Sequence, residues 1–452
     1  MKTDFYKKNR NKLVINTREF IFNLNNKLPF IGRPLVISWC IFCDLKFIIR
    51  KEILKLVARL KYKDDKLSFD KTYWVSPQEI NYSLMSPGGK FNIWQNYGKI
   101  LGGDWDKSSV KFEDLDIYQA FKQRFKEGKK WEETKFYQRV LEQISNGVKK
   151  WECENKKGFD MRLGKLDLLY RQIKDNGYKL QTELYPSKGL INKIGESGGA
   201  LDEIAVVIDR NGQFLLVEGR HRLSIAKLLN LSSIPIKIIA RHKKWMEFRK
   251  ELIFFSKNYQ KGKLYQPLTH PDLQDILFQR DGEERFKLIK EYLDIKRGTL
   301  LDIAANLGYF CHKFEEIGFD CYALEENRMC IYFLEKLKKI ENRKFKIISE
   351  NLFEYKKNQA IVFDVVLALS IFHHFLDRKD TYLNLINFLK RLKTKELFFE
   401  PYLPIEFQGR KTYQSYTPEQ FVNFIIKNSC CLNKAELIGK SEKGRPIYKI
   451  TP

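Results

Sequence analysis

The residues most able to bind a ligand lie in a short loop after a buried strand. Residues 300–310 read LLDIAANLGYF, which predicts an apolar strand, a loop of small residues and the start of a helix. Small residues let the backbone approach a ligand, and a helix N-terminus offers free N–H groups. Glu325 follows Asp302 by 23 residues and ends the next predicted strand, where a carboxylate can accept two hydrogen bonds from a ribose diol. These features predict an adenosine-type cofactor at the carboxyl ends of parallel strands.

The composition of this loop discriminates between adenosine-type cofactors. A dinucleotide needs a G-x-G-x-x-G loop so that its pyrophosphate can touch the backbone. Ala304 and Asn306 stand where two of those glycines are expected. S-adenosylmethionine carries no phosphate, so it relaxes this requirement. Two predicted strands at the end of the chain, after a sheet that already has five, also depart from the dinucleotide pattern.

A second constellation lies at a predicted strand-to-helix junction in the middle of the chain. Glycine permits a close turn there, and the helix N-terminus with two arginines makes an anion site. Arginine also suits a bidentate contact with phosphate. The residues of this predicted nucleotide or phosphate site are Glu218, Gly219, Arg220, His221 and Arg222.

Alternating apolar strands and amphipathic helices position the first site. The predicted strands are Thr299–Ile303, Cys321–Leu324, Lys344–Ile348, Val362–Leu369 and Glu396–Glu400. Helices are expected from about Gly308, over Met329–Ile340 and over Arg378–Leu392. A last helix, Pro418–Lys427, and the strands Ala435–Ile438 and Pro446–Ile450 complete the unit. The alternation predicts an α/β fold with a doubly wound, Rossmann-like parallel sheet.

Shorter elements position the second site. Glu203–Ile208 and Gln213–Val217 are predicted strands joined by a turn at Asp209–Gly212, followed by a helix over His221–Asn230 and a strand over Ile234–Ile239. The expected organisation is a basic helical segment (1–70), an α+β domain (71–245), a helical linker (246–284) and the α/β domain (285–452).

Four stretches in the last domain resemble class I S-adenosylmethionine-dependent methyltransferases: LDIAANLGYF, YALEEN, SENLFEY and FDVVLALSIFHHF. The resemblance covers about residues 285–452 and implies a methyltransferase that uses S-adenosylmethionine. It implies that Glu325 holds the ribose, that Glu350 or Asn351 flanks the adenine, and that Ser370 lies beside the methionine moiety. The remaining expected cofactor residues belong to the loop: Asp302, Ala304, Asn306, Gly308 and Phe310.

The residues after the fourth strand bear on the acceptor. His373 or His374 could act as the base that deprotonates a hydroxyl acceptor, since histidine titrates near neutral pH. The alternative is that the pair packs against the following helix, and Glu400 is another candidate base. No Asp/Asn/Ser-Pro-Pro-Tyr segment follows the strand and the chain has no Pro-Cys pair, which argues against methylation of nucleic-acid bases. A small-molecule or glycan-precursor hydroxyl is therefore expected, with O-methylation as the reaction.

The middle unit resembles the ParB/sulfiredoxin-like fold, whose members carry a Gly-x-His-Arg type motif for nucleotide phosphates. The resemblance is tight over residues 203–242 and looser back to Tyr73. It implies ATP, ADP or CTP as a ligand but selects no activity, because its members include partition proteins, reductases and a kinase. Glu218 could act as the base of a kinase-like reaction or pair with Arg222.

The charge leaves a rival function open. The net charge is +26, which suits nucleic acid, an anionic membrane or phosphates, although lysine spread over the whole chain also fits biased composition. The rival is a ParB-like nucleic-acid-binding regulator with a secondary methyltransferase domain. The basic runs Lys122–Lys130 and Arg241–Lys250 are expected to be solvated helix faces.

The N-terminal segment shows neither a signal peptide nor a membrane span. Its longest apolar run, Leu35–Ile49, is broken by two charges and is too short to cross a bilayer. Ile48–Leu60 predicts an amphipathic helix that either lies on an anionic membrane or packs on its own domain. Cys40 and Cys43 are expected to be buried thiols rather than zinc ligands, and eight scattered cysteines fit a reducing cytoplasm.

Overall fold

The computed structural model describes residues 52–62, 71–84, 96–148, 153–184, 203–407 and 411–452, with residues 34, 35, 38, 49, 64, 67 and 68. Cys40, Cys43 and most of the run Leu35–Ile49 lie outside this set. The chain divides into two compact units, Met1–Lys250 and Glu251–Pro452. The division falls near the start of the expected linker, so most of residues 246–284 belong to the second unit.

The first unit combines helices with short strands. Its elements are α1 (52–62), β1 (Thr72–Val75), β2 (Tyr82–Leu84), β3 (Lys99–Leu101), β4 (Ser109–Lys111), α2 (Asp116–Lys126), α3 (Lys135–Ser145), α4 (Lys156–Asn176), α5 (Gln181–Leu184), β5 (Ile204–Ile208), β6 (Phe214–Glu218), α6 (Arg220–Leu228) and β7 (Ile234–His242). Helix α7 (Lys243–Tyr259) crosses into the second unit.

A mixed sheet forms the centre of the first unit, in the order β1-β7-β5-β6-β2-β4, with β3 also paired to β7. Strands β5 and β6 form an antiparallel hairpin, and α6 then leads to β7, which pairs in parallel with β5. All five residues of β5 are buried, which explains why this strand is an unbroken apolar run. The strand–turn–strand–helix–strand order predicted for residues 203–240 is confirmed.

Two arginines correct the prediction for the run Arg241–Lys250. Arg241 and Arg249 are buried instead of lying on a solvated face. Arg249 forms an ion pair with the equally buried Asp64, and Arg241 donates a hydrogen bond of 3.1 Å to the Tyr73 hydroxyl. Charged side chains can occupy these positions because partners from distant segments satisfy them. The lysines of the other basic run, Lys122–Lys130, are exposed as expected.

The second unit has the predicted alternation of strands and helices. Its elements are α8 (Gly282–Glu291), β8 (Thr299–Ile303), α9 (Tyr309–Glu316), β9 (Asp320–Leu324), α10 (Arg328–Ile340), β10 (Lys346–Ile348), β11 (Ile361–Leu369), α11 (Lys379–Arg391), β12 (Leu392–Glu400), α12 (Pro418–Asn428), β13 (Lys434–Lys440) and β14 (Pro446–Thr451).

The sheet of the second unit has the order β10-β9-β8-β11-β12-β14-β13. The first five strands are parallel, whereas β14 runs antiparallel to both β12 and β13. Apolar side chains of α11 and α12 pack in one core cluster, and those of α8 and α9 pack in another. The sheet therefore has a packed layer of helices on each face, and the α/β prediction is confirmed. Among the described residues, every helix falls short of the length and apolar character that crossing a bilayer requires.

Candidate functional site

The loop after β8 has an unusual backbone. Ala304, Asn306 and Gly308 all have positive φ angles, of 58°, 54° and 82°. Left-handed conformations cost little for glycine but about 1 kcal/mol or more for other residues. Ala304 and Asn306 occupy positions where a dinucleotide-binding loop has glycine, and they adopt the left-handed backbone that glycine favours. Strain of this kind persists where the surrounding structure imposes it, and it concentrates at ligand sites.

Close packing explains why the last of the three positions is glycine. A Cβ on Gly308 would lie 2.3 Å from Cδ1 of Leu334, which belongs to α10. Gly308 is also the N-cap of α9, and its carbonyl accepts the first backbone hydrogen bond of that helix from His312, at 3.0 Å. The loop is thus held against α10 with the N-terminus of α9 directly behind it.

Glu325 fastens this loop to the end of β9. Strands β8 and β9 pair in register, so their carboxyl ends lie side by side. The Glu325 carboxylate accepts a hydrogen bond from the backbone N–H of Asn306 at 2.8 Å, and from those of Glu326 and Asn327 at 3.1 and 2.9 Å. Burial raises the pKa of Glu325, while these three donors favour its ionised form. Three bonds leave acceptor capacity on the carboxylate for a further donor.

Asp302 is the other carboxylate at this edge, and it is buried. Burial and the nearby charge of Glu325 raise the pKa of Asp302 to about 8, although the positive charge of Arg285 opposes the shift. The Cys311 thiol lies 4.0 Å from its carboxylate. The raised pKa favours the protonated form of Asp302 near neutral pH, and a cation placed beside it would favour the ionised form.

The two residues predicted to flank an adenine have different surroundings. Asn351, just after β10, donates a hydrogen bond of 2.5 Å to Glu326, the residue that follows Glu325. Glu350 is exposed. The structure thus brings Asn351 to the same edge as the loop and Glu325.

The Phe310 side chain is completely buried in the core. It lies on the sheet-facing side of α9, and the Arg285 guanidinium lies 5.3 Å from its ring. An apolar side chain on the sheet-facing side of a covering helix packs inward. Phe310, expected among the cofactor residues, therefore has only its backbone available to a ligand.

Ser370 belongs to a buried polar network at the ends of β11 and β12. Its hydroxyl donates to the Glu400 carboxylate and accepts a hydrogen bond of 2.8 Å from Arg445. Arg445 also makes two hydrogen bonds to Glu406, at 2.6 and 2.8 Å. The backbone of Ser370 is left-handed, with φ of 60°. Glu400 is completely buried in this network, which is a poor setting for the base role considered for it.

Arg285 is the functional candidate that the sequence did not reveal. It lies on α8, is 1% exposed and donates a hydrogen bond of 3.2 Å from Nη1 to Glu400. Within the described residues its Nη2 is buried without a hydrogen-bond partner, as are Oε1 of Glu400 and Oδ1 of Asn306. Buried orphan polar atoms are rare and call for a missing partner. The sequence did contain one indication of this role: Arg285 lies on the same side of α8 as the buried residues Gly282 and Phe286.

The two predicted catalytic histidines lie in different environments. His373 is buried, with its ring centroid 4.0 Å from that of His374 and 3.4 Å from that of Tyr402. His374 is exposed. This group of tilted and edge-on rings extends through Tyr402 to Arg445, whose guanidinium lies 3.6 Å from the tyrosine ring. Exposure makes His374 the member of the pair that an external group can reach.

The middle constellation has the predicted strand-to-helix geometry. Gly219 has φ of 99° and caps α6, and its added Cβ would lie 3.0 Å from the Ile204 side chain. Glu218 and Arg220 are exposed. Arg222 lies 3.5 Å from the Glu203 carboxylate and 3.3 Å from the Tyr178 hydroxyl, so its described carboxylate partner is Glu203.

His221, the second residue of α6, lies in the positive field of nearby arginines. Burial and the charges of Arg162, Arg220 and Arg222 lower the pKa of His221 to about 4. Its ring is stacked at 5.9 Å on that of Phe121, which belongs to α2. Arginines from α4 and α6 therefore act on one neutral histidine at the N-terminus of α6, an arrangement that favours an anion.

No family model matches the chain, and no curated protein matches it. Among solved structures, it is similar to the bifunctional kinase-methyltransferase WbdD at 19% identity and a TM-score of 0.36, over 42% of this chain and 44% of that one. A SAM-dependent methyltransferase from Archaeoglobus fulgidus matches at 19% identity and a TM-score of 0.29, over 37% and 92% of the two chains. The N-methyltransferase NodS from Bradyrhizobium japonicum WM9 matches at 14% identity and a TM-score of 0.30, over 38% and 96%.

The chain thus spans less than half the length of the WbdD chain that it matches. TM-scores at this level carry no argument about activity. The functional conclusion depends on the geometry of the site.

Proposed function

We propose that the second unit is a methyltransferase that uses S-adenosylmethionine. The observation that carries the proposal is the hydrogen bond of 2.8 Å from the backbone N–H of Asn306 to the Glu325 carboxylate. This hydrogen bond holds the loop after β8, which has left-handed backbone at Asn306, against the end of the neighbouring strand β9. This arrangement supports an adenosine whose ribose is bound by Glu325. The reversed strand β14 between β12 and β13 departs from the dinucleotide-binding order and agrees with the methyltransferase resemblance.

The orphan polar atoms suit the other end of the same cofactor. Among the described residues, Nη2 of Arg285 is buried without a hydrogen-bond partner, and an amino-acid carboxylate is a strong acceptor for it. The methionine amine or sulfonium would favour the ionised form of Asp302, whose pKa is otherwise raised, and would pair with that carboxylate. The donor set of this edge therefore fits an adenosyl group joined to an amino acid.

The chemistry can be assigned to residues of the chain. S-adenosylmethionine, when bound, supplies a methyl group on a sulfonium that a nucleophile displaces. Glu325 and Arg285 would bind its two ends and so fix its orientation, which is the main contribution of such a protein to the reaction. For a hydroxyl acceptor, His374 would accept the proton, because it is the exposed member of the pair. His373, packed against it, would hold the orientation of its ring.

Binding of S-adenosylhomocysteine and of methylthioadenosine to the full chain tests this assignment. Methylthioadenosine lacks the amino acid, so Arg285→Lys should weaken binding of S-adenosylhomocysteine and leave methylthioadenosine unaffected. The control is Arg280→Lys, another buried arginine, whose Nη1 lies 3.7 Å from the Glu442 carboxylate, and it should affect neither ligand. Failure of the wild-type protein to bind either ligand in titration calorimetry would overturn the proposal. Methyl transfer to sugar and small-molecule hydroxyls then identifies the acceptor.

For the first unit, we propose a nucleotide or phosphate site at residues 218–222. The supporting observations are the positions of Arg220 and Arg222 at the N-terminus of α6 and the pKa of His221, which is lowered by burial and by the charges of Arg162, Arg220 and Arg222. Phosphate bound there should raise the pKa of His221, which NMR of labelled histidine measures with and without ATP or CTP. Arg220→Gln should weaken nucleotide binding, whereas Lys174→Gln, an exposed change on α4, should not. An unchanged His221 pKa at saturating nucleotide would contradict this site.

A further inference from the structure

Helix α1 exposes a continuous stripe of aliphatic side chains. Ile53, Leu56, Val57 and Leu60 are 55%, 54%, 40% and 63% exposed. Their spacing of three, four and seven residues places them on one side of an α-helix. Ile49, which is also helical and 51% exposed, lies four residues before the first of them and extends the pattern. Single exposed aliphatic residues are common, but an ordered stripe of them marks an interaction surface.

A different side of α1 packs on the first unit. Ala58 and Tyr62 are buried, at 1% and 3% exposed, and Leu54 is half-buried. These residues repeat every four positions and lie more than 100° around the helix from the centre of the exposed stripe. Packing through this second side fixes the helix to its domain without using the stripe. The stripe is therefore available to another partner while the helix stays anchored.

Positive charge flanks the stripe. Arg59 lies on one side of it and Lys61 on the other, and both are exposed, while the exposed Lys55 lies further around the helix. The one acidic residue of the helix, Glu52, pairs with Lys55 at 2.8 Å. Residues 1–70 contain 16 lysines and arginines against 7 acidic residues, an excess of +9 within a chain of +26. An aliphatic stripe with cationic flanks in a basic segment matches an anionic bilayer surface.

We propose that α1 is a peripheral membrane-binding helix that inserts the stripe Ile53–Leu60 into the interface of a bilayer containing anionic lipid. The aliphatic side chains enter the acyl boundary, while the lysines and arginine stay at the headgroups. Binding is the sum of a small apolar area and an electrostatic attraction, so it needs both parts. Attraction to anionic lipid is screened by salt, whereas an apolar groove of a protein would impose neither a lipid nor a strong salt requirement.

Flotation of the full chain with phosphatidylcholine vesicles, with and without about a third of phosphatidylglycerol, tests the proposal. The wild-type protein should bind the anionic vesicles at least 10-fold more strongly than the neutral ones, and 0.5 M salt should release it. Leu56→Glu with Leu60→Glu should reduce binding at least 10-fold. The matched control is Val362→Glu with Leu437→Glu, which adds the same charge at two exposed aliphatic positions of the second unit and should bind as wild type.

The positions chosen are exposed, so the variants should fold, and circular dichroism with thermal unfolding checks that they do. Equal loss in both double variants would show a general charge effect and overturn the role of the stripe. Stripe variants that bind like wild type, or a wild-type protein that binds neither vesicle, would also overturn it and point to a protein as the occupant. Cofactor binding by the second unit should be unchanged in the stripe variant, which separates this test from the proposed methyltransferase.

Discussion

Replacing Glu325 with glutamine tests the two tasks that the structure gives this side chain. Oε1 accepts the N–H groups of Glu326 and Asn327, and Oε2 accepts that of Asn306. Glu325→Gln keeps the first oxygen but presents an NH₂ group to the Asn306 amide. One buried N–H then loses its acceptor, at a cost of about 1–3 kcal/mol. For a unit of this size each kcal/mol lowers the melting temperature by roughly 2–4 °C.

The loss of cofactor affinity is a separate quantity. A hydrogen bond to a charged acceptor contributes about 1.5–3 kcal/mol, so S-adenosylhomocysteine should bind roughly 10- to 150-fold more weakly to the variant. Titration calorimetry well below the melting temperature measures this on folded protein. An analogue without the ribose hydroxyls removes the same contact from the ligand side. This analogue should bind the wild type and the variant with equal affinity, because removing the hydroxyls and replacing Glu325 eliminate the same hydrogen bonds.

Two results would refute the reasoning about Glu325. If the variant loses the same affinity for S-adenosylhomocysteine and for the analogue without hydroxyls, Glu325 acts through loop geometry and does not contact the ribose. If the variant binds both ligands as the wild type does, the ribose lies elsewhere. A lowered melting temperature would accompany either result, since the hydrogen bonds of Glu325 within the protein do not depend on a ligand.

Three further predictions concern charge and packing. Between about pH 4 and pH 8 folded Asp302 keeps a proton that the unfolded chain has lost, because its pKa is raised to about 8. The free energy of unfolding should therefore fall as pH rises through this window, by up to about 1.4 kcal/mol per unit, and Asp302→Asn should flatten the profile in urea titrations. Gly308→Ala should lower the melting temperature more than Gly318→Ala, since both positions have positive φ but only the first Cβ meets a side chain at 2.3 Å. Arg249→Met should cost about 3–5 kcal/mol in urea unfolding because it leaves Asp64 buried without its ion-pair partner, and adding Asp64→Leu should recover most of that loss.

The strands of the second unit were predictable because a buried parallel strand is a continuous apolar run. Ile361–Leu369 and Thr299–Ile303 come close to this pattern, with Asp364 in the first strand and Thr299 and Asp302 in the second as their polar members. The two final strands were also predicted, within a few residues of their observed bounds, but their antiparallel direction was not. Glu325 and the small-residue loop could be placed at one edge for the same reason, because parallel strands end on the same side.

Contacts between distant segments could not be predicted from the sequence. Arg285 and Glu400 are 115 residues apart, and no local pattern indicates that one neutralises the other. The burial of Arg249 depends in the same way on Asp64, 185 residues earlier. Strands of three residues, such as Lys99–Leu101, are too short to show a period of two. The left-handed backbone of Asn306 comes from the enclosing structure, because its residue type only permits that conformation.

The hydrogen bonds of Ser370 bear on which residues could contact the methionine part of the proposed cofactor. The Ser370 hydroxyl already donates to Glu400 and accepts from Arg445, so it has little capacity left for a methionine moiety. Arg285 and Glu400 differ, because within the described part of the chain each has one atom without a hydrogen-bond partner beside the ion pair that joins them. A ligand with both a carboxylate and an ammonium could satisfy Nη2 of Arg285 and Oε1 of Glu400 without breaking that ion pair. In the proposed methyltransferase, this buried pair would therefore have more capacity than the Ser370 hydroxyl to bind the amino-acid group.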